Sequence, residues 1–175
     1  MAAAVASLER NVSGRHPFNS TLETGIRALV VLEAFYPRRC DLLEMTWLDH
    51  LIVHTGDLDG HDVPESLHPD LPNRAGELLV RRQLVERSLR IMQQVHLVEV
   101  FDAEAGVEFC ASEDAPSYLD LLQAPYSVAL KQRAKWLADR FAGLEASEMR
   151  ALIEGRIGRW TAEFRADETP KGLSK

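Results

Sequence analysis

The sequence predicts a mainly α-helical fold with a small β-hairpin, organised as a winged-helix-like domain with additional C-terminal helices. The prediction starts from residues 74–111, where a helical apolar period runs as far as His96. Beyond it, apolar residues alternate around 98–100 and again around 107–109, separated by a short polar loop with a glycine at 102–106. A long helix that leads directly into a hairpin is the core of a winged helix.

This long helix is predicted to have one apolar and one polar face. The apolar arc comprises Val80, Leu84, Val85, Leu89, Ile91, Met92 and Val95. The opposite, partner-facing or DNA-facing side comprises Arg82, Gln83, Glu86, Arg87, Arg90 and Gln94. Arginine and glutamine can read base edges in a major groove, but they also occur on protein-docking faces and on ordinary solvated helices. The polar face alone does not choose between these alternatives.

The elements before the long helix fit the same fold. A helix capped by Ser20 or Thr21 should run to Phe35, followed by an extended link at 38–42 and a second helix at about 43–54. Residues 56–73 are rich in proline, glycine and acidic side chains, which predicts a long loop. Because an ordinary helix-turn-helix uses only about three or four residues there, the loop is a second candidate partner site.

Three further helices are predicted after the hairpin: a short one that ends before Pro125, one that starts there and ends near Gly143, and a last one from Ser147 to Phe164. The last helix carries a possible docking stripe of Ile153, Ile157, Trp160 and Phe164. We therefore divide the chain into a flexible tail at 1–17, a middle domain at 18–143, a C-terminal docking helix at 144–166 and a flexible tail at 167–175.

Composition favours a globular protein that works with protein partners. The chain has 175 residues, of which 46% are hydrophobic, and a net charge of -7. That charge repels phosphate backbones, so contact with nucleic acid should be local or made within a complex. Cys40 and Cys110 lack metal-site spacing and are expected to be buried thiols in a reducing compartment. Without a long apolar run, a cytoplasmic location with no membrane contact is expected.

A polar cluster brackets the long loop and is the main candidate for internal chemistry. It comprises His54, Asp57, His68, Arg74, Glu77 and Arg81. Arg81 falls on the apolar side of its helix, so it should bind a carboxylate or carbonyl, for which Asp49, Asp57 and Glu77 are candidates. We favour a brace that fixes the loop to the long helix over catalysis, because buried charges are usually paired for structural reasons.

Metal chemistry is the weaker interpretation of the histidines. His50 and His54 are one helical turn apart, but Leu51 stands where the catalytic glutamate of an HExxH motif would be. A metal-dependent hydrolase would need His50, His54 and His68 to converge. No phosphate-binding glycine loop is present. We therefore predict no catalytic residues, no metal and no cofactor.

Several separated motifs resemble one bacterial family. They are FNSTLETGIRAL at 18–29, AFYP at 34–37, LDHLIVHTGD at 48–57, ESLHPDLPNRAGELLVRR at 65–82 and QAPYSVALKQRAKW at 123–136. Together they are similar to the middle component, type 2, of ABC-three-component systems. The resemblance implies a small non-enzymatic subunit of antiviral defence systems of the Lamassu type, and it supplies no catalytic or ligand residues.

The resulting functional prediction is an adaptor that bridges an SMC/Rad50-like ABC ATPase and an effector subunit, often a nuclease, in an anti-phage defence complex. DNA would be touched mainly within that complex. Two alternatives remain open at this point: a stand-alone winged-helix DNA-binding regulator and the metal-dependent hydrolase.

Overall fold

A computed structural model describes residues 20–70, 74–104 and 106–167, with the backbone alone at 74–75 and 160–167. The elements in order are α1 (Thr21–Phe35), β1 (Cys40–Asp41), α2 (Leu42–Leu51), a 3₁₀ turn (Thr55–Asp57), α3 (Arg74–Gln94), β2 (Val98–Ala103), β3 (Gly106–Ala111), α4 (Ala115–Asp120), α5 (Pro125–Phe141) and α6 (Ala146–Asp167). The predicted fold class, mainly α with a small hairpin, is confirmed. The predicted tail at 1–17 and residues 168–175 of the predicted tail at 167–175 lie outside the described residues, whereas Asp167 ends α6.

The three strands form one antiparallel sheet in the order β1-β3-β2. Cys40 of β1 and Val100 of β2 both lie opposite Phe109 of β3. The hairpin loop is shorter than predicted, because Asp102 still pairs with Val107 and Ala103 with Gly106. Both cysteines are buried free thiols, as expected from the sequence.

Helix α1 is the centre of the core. Ser20, one of the two predicted caps, accepts a hydrogen bond from the Glu23 amide at 3.1 Å. Buried residues cover most of its circumference, and it packs against α2, α3 and α5. A Cβ atom at Gly25 would lie only 2.5 Å from Met92 Cε of α3. Glycine at this position therefore allows α1 and α3 to approach closely.

Helix α2 begins with a capping box between Asp41 and Glu44 and ends at Leu51, three residues before the predicted end. The chain leaves the helix there because the long loop returns to it. The carbonyl of Val53 accepts hydrogen bonds from the amides of Leu67 and His68, each at 3.0 Å. The Val53 carbonyl therefore bonds to the loop and does not accept the hydrogen bond that a continued helix would need.

Helix α3 has the predicted length, but its buried face is narrower than predicted. The buried side chains are Leu78, Arg81, Val85, Ser88, Leu89 and Met92. Val80, Ile91 and Val95 were placed on the apolar arc incorrectly, and Val80 is 70% exposed. At roughly 100° per residue, Val80 lies about 140° from Val85, so it points away from the core.

The end of α3 turns the chain directly into the hairpin. His96 adopts a positive φ of 62°, and its amide bonds the carbonyl of Gln93 at 3.0 Å. The amide of Leu97 bonds the carbonyl of Met92 at 2.9 Å. These two bonds form a Schellman cap, with histidine in the position that glycine usually takes. The hairpin is thereby held at a fixed position relative to α3.

The C-terminal helices cover the remaining sides of the core. Helix α5 packs on α1, and α6 packs on both α2 and α3 through the buried Met149 and Ile153. Across the residues that the structure describes, no helix combines the length and apolar character that a membrane crossing requires.

Candidate functional site

A buried carboxylate, Asp49 of α2, joins three helices. Its Oδ1 lies 2.8 Å from Nε of Arg27 on α1, and its Oδ2 lies 2.6 Å from Nη1 of Arg81 on α3. The Asp49 and Arg27 side chains are fully buried, and that of Arg81 is 5% exposed. Arg81 also donates to the main-chain oxygen of Asp49 at 3.2 Å. One acidic residue thus holds two arginines and fixes α1, α2 and α3 to one another.

The charges in this cluster are matched. Burial would raise the pKa of the Asp49 carboxyl, but Arg27 and Arg81 outweigh it and hold that pKa below its ordinary value. Glu23 adds a second carboxylate, with its Oε1 3.2 Å from Nη1 of Arg27. Two arginines therefore face two carboxylates, and the cluster has no net charge when all four are ionised.

Three histidines, His50, His54 and His68, form an arm that extends toward the long loop. It starts beside the arginine cluster, which consists of Arg27, Arg81, Asp49 and Glu23. The rings of His50 and His54 are stacked with centroids 4.6 Å apart, and His68 meets His54 edge-on at 5.8 Å. His50 Nε2 lies 2.7 Å from Asp57 Oδ2. His68 Nε2 lies 2.8 Å from the hydroxyl of Tyr126, which donates to Glu23 at 3.3 Å. The arm and the arginine cluster therefore form one network through Glu23.

Burial keeps the three histidines neutral. Burial, followed by the adjacent His50 ring, lowers the pKa of His54 to about 3. Burial and then Arg27 lower the pKa of His68 to about 4. Burial also lowers the pKa of His50, although Asp57 opposes it. Since Tyr126 donates to Glu23, the Nε2 atom of a neutral His68 must carry the proton and donate to the tyrosine oxygen.

The histidine rings are adjacent, but the cluster does not have the form of a metal site. Within the described part of the chain, no three His, Cys, Asp or Glu residues are arranged to hold a metal ion. The Nε2 atoms of His50 and His68 are engaged by Asp57 and Tyr126. The arrangement orients rings and joins elements; it does not offer a converging set of ligands.

The long loop forms hydrogen bonds with the 3₁₀ turn at its start and with α5. Thr55 Oγ1 donates to the Pro64 carbonyl at 2.5 Å, and the Gly56 amide donates to Ser66 Oγ at 3.0 Å. From α5, Arg133 donates to the Glu65 carbonyl at 2.7 Å. Arg140, also on α5, donates to the Asp59 carbonyl at 2.5 Å. These hydrogen bonds fix the path of the loop from Gly56 to Ser66.

The structure gives contacts for four of the six residues of the predicted polar cluster. His54 meets His68 edge-on and Asp57 pairs with His50 beside α2, whereas Arg81 pairs with Asp49. Glu77 makes no ion pair with any described residue. The side chain of Arg74 lies outside the described part. The described contacts join the loop to α2 through Asp57 and His50 and join α3 to α2 through Arg81 and Asp49, and the brace between the loop and α3 stays a prediction.

The predicted partner-facing side of α3 is at the surface. Arg82, Gln83, Arg87, Arg90 and Gln94 are exposed, and Glu86 is half-buried. Arg90 and Glu86 form an ion pair at 2.5 Å. Three of the predicted residues, Arg82, Glu86 and Arg90, line a groove of about 480 Å³ between α3 and the hairpin. The position of this groove could not be predicted without the angle between helix and hairpin.

The predicted docking stripe on α6 is partly used by the protein itself. Ile153 is fully buried, and Ile157 is half-buried against the same core. The side chains of Trp160 and Phe164 lie outside the described part. Ile153 therefore belongs to the core, Ile157 keeps part of its side chain exposed, and the docking stripe stays a prediction.

Sequence reasoning missed Arg27, Glu23 and Tyr126. Glu23 and Arg27 are four residues apart on α1, the spacing of a helical ion pair. Arg27 also stands among consecutive apolar residues, which indicates a buried guanidinium that needs a carboxylate. These two signals could have identified the pair, but no local signal connects Tyr126 with Glu23, 103 residues away.

Comparison with known proteins identifies a family. No curated protein and no solved structure shows significant similarity to this chain. The family model for the ABC-three component (ABC-3C) system Middle Component 2 matches residues 17–163, which include the whole buried network. The chain therefore belongs to the middle component 2 family of ABC-three-component systems.

Proposed function

We propose that this protein is a non-enzymatic adaptor of a Lamassu-like anti-phage defence complex, where it bridges an SMC/Rad50-like ABC ATPase and a nuclease effector. Family membership over residues 17–163 is the observation that carries the proposal, because a middle component acts with the other components of its system. The buried polar residues support a structural role, since their charges are matched by internal partners.

The arrangement of elements supports a docking module of winged-helix type. Two helices, a short strand, a long helix and a hairpin are joined with β1 paired to β3, as in a winged helix. The buried face of α3 is fixed by Asp49, which leaves its outer face and the adjoining hairpin for a partner.

Co-expression with the other components of the same system tests the adaptor proposal. We expect a complex containing all three components on size-exclusion chromatography, and loss of the ATPase–effector association when the adaptor is omitted. A protein that elutes alone at micromolar concentrations of all components would contradict the proposal. A second variant tests whether the polar cluster has a catalytic role. If it has none, Asp57→Asn should leave assembly and phage protection intact in a folded variant.

A stand-alone DNA-binding regulator is the second candidate, favoured by the exposed arginines and glutamines of α3. It predicts binding of duplex DNA by the isolated chain that weakens with salt and with Arg82→Glu, Arg87→Glu or Arg90→Glu. The net charge of -7 and the Arg90–Glu86 ion pair oppose it. Absence of DNA retention at low salt would eliminate this candidate.

A further inference from the structure

The groove between α3 and the hairpin is built from separate parts of the chain. Arg82, Glu86 and Arg90 supply its helical wall, and Val100, Val107 and Phe109 supply an apolar wall from the hairpin. Val100 and Phe109 are cross-strand partners, so these side chains share one face of the sheet. The lining is completed by Asp41, Leu42, Leu43, Gln93, Gly106 and Arg150. A partner side chain in this groove would contact apolar surface and guanidinium groups together.

The groove is lined by more positively charged than negatively charged side chains. Its two carboxylates are already paired, Glu86 with Arg90 at 2.5 Å and Asp41 with Arg150. Arg82, the third arginine of the lining, is exposed and has no ion-pair partner within the described residues. The groove therefore has one guanidinium in excess on a chain whose net charge is -7. This local excess favours a carboxylate on the occupant.

The shape and composition favour a protein segment over duplex DNA. A volume of about 480 Å³ is within the usual range for pockets that hold a few side chains or a small ligand. Arginine and aromatic residues around a desolvated centre are typical of protein interfaces. Phosphates along a duplex would meet the carboxylates of Asp41 and Glu86 as well as the arginines. A short peptide can place one carboxylate at Arg82 and avoid both.

We propose that this groove binds a short acidic segment of a partner subunit, with a carboxylate at Arg82 and an aliphatic or aromatic side chain against Val100, Val107 and Phe109. The proposal rests on the adaptor function and specifies which surface of the adaptor receives a partner. Arg87 lies on the same helix, but it does not line the groove. It therefore provides a matched control for charge.

Fluorescence anisotropy with the full-length chain tests the proposal. The probes are fluorescein-labelled peptides of about twelve residues that tile the ATPase and effector subunits of the same system, with a labelled 20-base-pair duplex in parallel. We expect the binding peptides to be acidic and to contain an aliphatic or aromatic residue. Arg82→Glu should weaken their binding by about tenfold or more, whereas Arg87→Glu should change it by less than about threefold.

A second variant tests the apolar wall. Val107 is 44% exposed, so Val107→Asp should fold and should also weaken peptide binding by about tenfold. A matching change at the exposed Leu121, which is outside the groove, should have no effect on binding. Thermal unfolding of each variant will separate loss of binding from loss of folding.

Three outcomes would overturn the groove proposal: no acidic peptide binds, Arg87→Glu weakens binding as much as Arg82→Glu, or the duplex binds in place of the peptides. The adaptor proposal is judged separately by co-expression. A three-component complex that survives both Arg82→Glu and Val107→Asp would reject the groove and leave the adaptor function standing. Failure to form any complex with the native chain would reject the adaptor function itself.

Discussion

Neighbouring arginines on α3 have opposite environments. Arg81 is buried and bound to the side chain and main chain of Asp49, whereas Arg82 is exposed beside an apolar wall and has no described ion-pair partner. Consecutive helical residues point about 100° apart, so one faces the core and the next faces the groove. The first fixes the position of α3, and the second is available to another molecule.

The role of a charged side chain on α3 depends on whether it is buried or exposed. Around Asp49, each charge has a partner of opposite sign inside the protein, and removing one partner leaves the others unpaired in a desolvated place. Around Arg82, water surrounds the charged groups, and individual ion pairs contribute little to folding. We therefore expect changes in the core to affect stability and changes in the groove to affect binding.

Removing the Asp49 carboxylate should give the largest effect on stability. Asp49→Ala leaves Arg27 and Arg81 buried without their main partner, and we expect a loss of about 3–5 kcal/mol or failure to fold. Urea unfolding followed by circular dichroism measures the change. The matched control is Asp59→Ala, because Asp59 is 88% exposed and pairs with Arg156 at the surface. A similar cost for both variants would contradict the assigned role of Asp49.

Acidification should weaken the core through its histidines. The pKa is about 3 for His54 and about 4 for His68 in the folded protein, against 6.5 for an ordinary histidine. Between these values the unfolded chain binds more protons than the folded one, so stability falls as pH falls from about 6.5 toward 4. One fully protected histidine contributes at most about 1.4 kcal/mol per pH unit, and partial access of water reduces this.

Thermal unfolding between pH 7 and pH 4 tests this dependence. His68→Gln should make the fall in Tm shallower, because one of the titrating groups is removed. His61→Gln changes an exposed histidine of the loop and should leave the profile unaltered. An unchanged profile in the His68 variant would show that the acid sensitivity has another origin.

Breaking the link between the histidine arm and the arginine cluster should have a smaller effect. Tyr126→Phe removes the hydroxyl that joins His68 to Glu23, and we expect a loss of about 1 kcal/mol. Chemical denaturation provides the measurement. Tyr36→Phe is the control, because Tyr36 is 59% exposed and should cost nothing measurable. Equal stability of the two variants would mean that the link does not contribute.

The smallest change in stability is expected at the groove. Arg90→Ala removes an exposed ion pair with Glu86 and should alter the free energy of unfolding by less than about 0.5 kcal/mol. The same change should still reduce peptide binding, because it alters the charge of the groove. A loss of stability near that of Asp49→Ala would remove the distinction between the two regions.

The sequence predicted the helices and strands well, but it predicted less accurately which side chains are buried. The caps and breakers around residues 20–37 fixed α1, and the change of apolar period near His96 marked the hairpin. The predicted buried face of α3 was too wide. It included Val80 and Ile91, which are apolar but lie far from Val85 around the helix and are exposed. Apolar character indicates which residues can be buried, whereas the position around the helix determines which ones are.

The sequence by itself determined the order of helices and strands, the hairpin and the family, because these depend on local periodicity and on motifs along the chain. Only the tertiary structure decided that Asp49 holds both Arg27 and Arg81, that Tyr126 joins His68 to Glu23, and that Arg82 borders a groove. These arrangements depend on the angles and distances between elements far apart in sequence. Packing of the whole domain sets those angles, and local sequence patterns do not determine them.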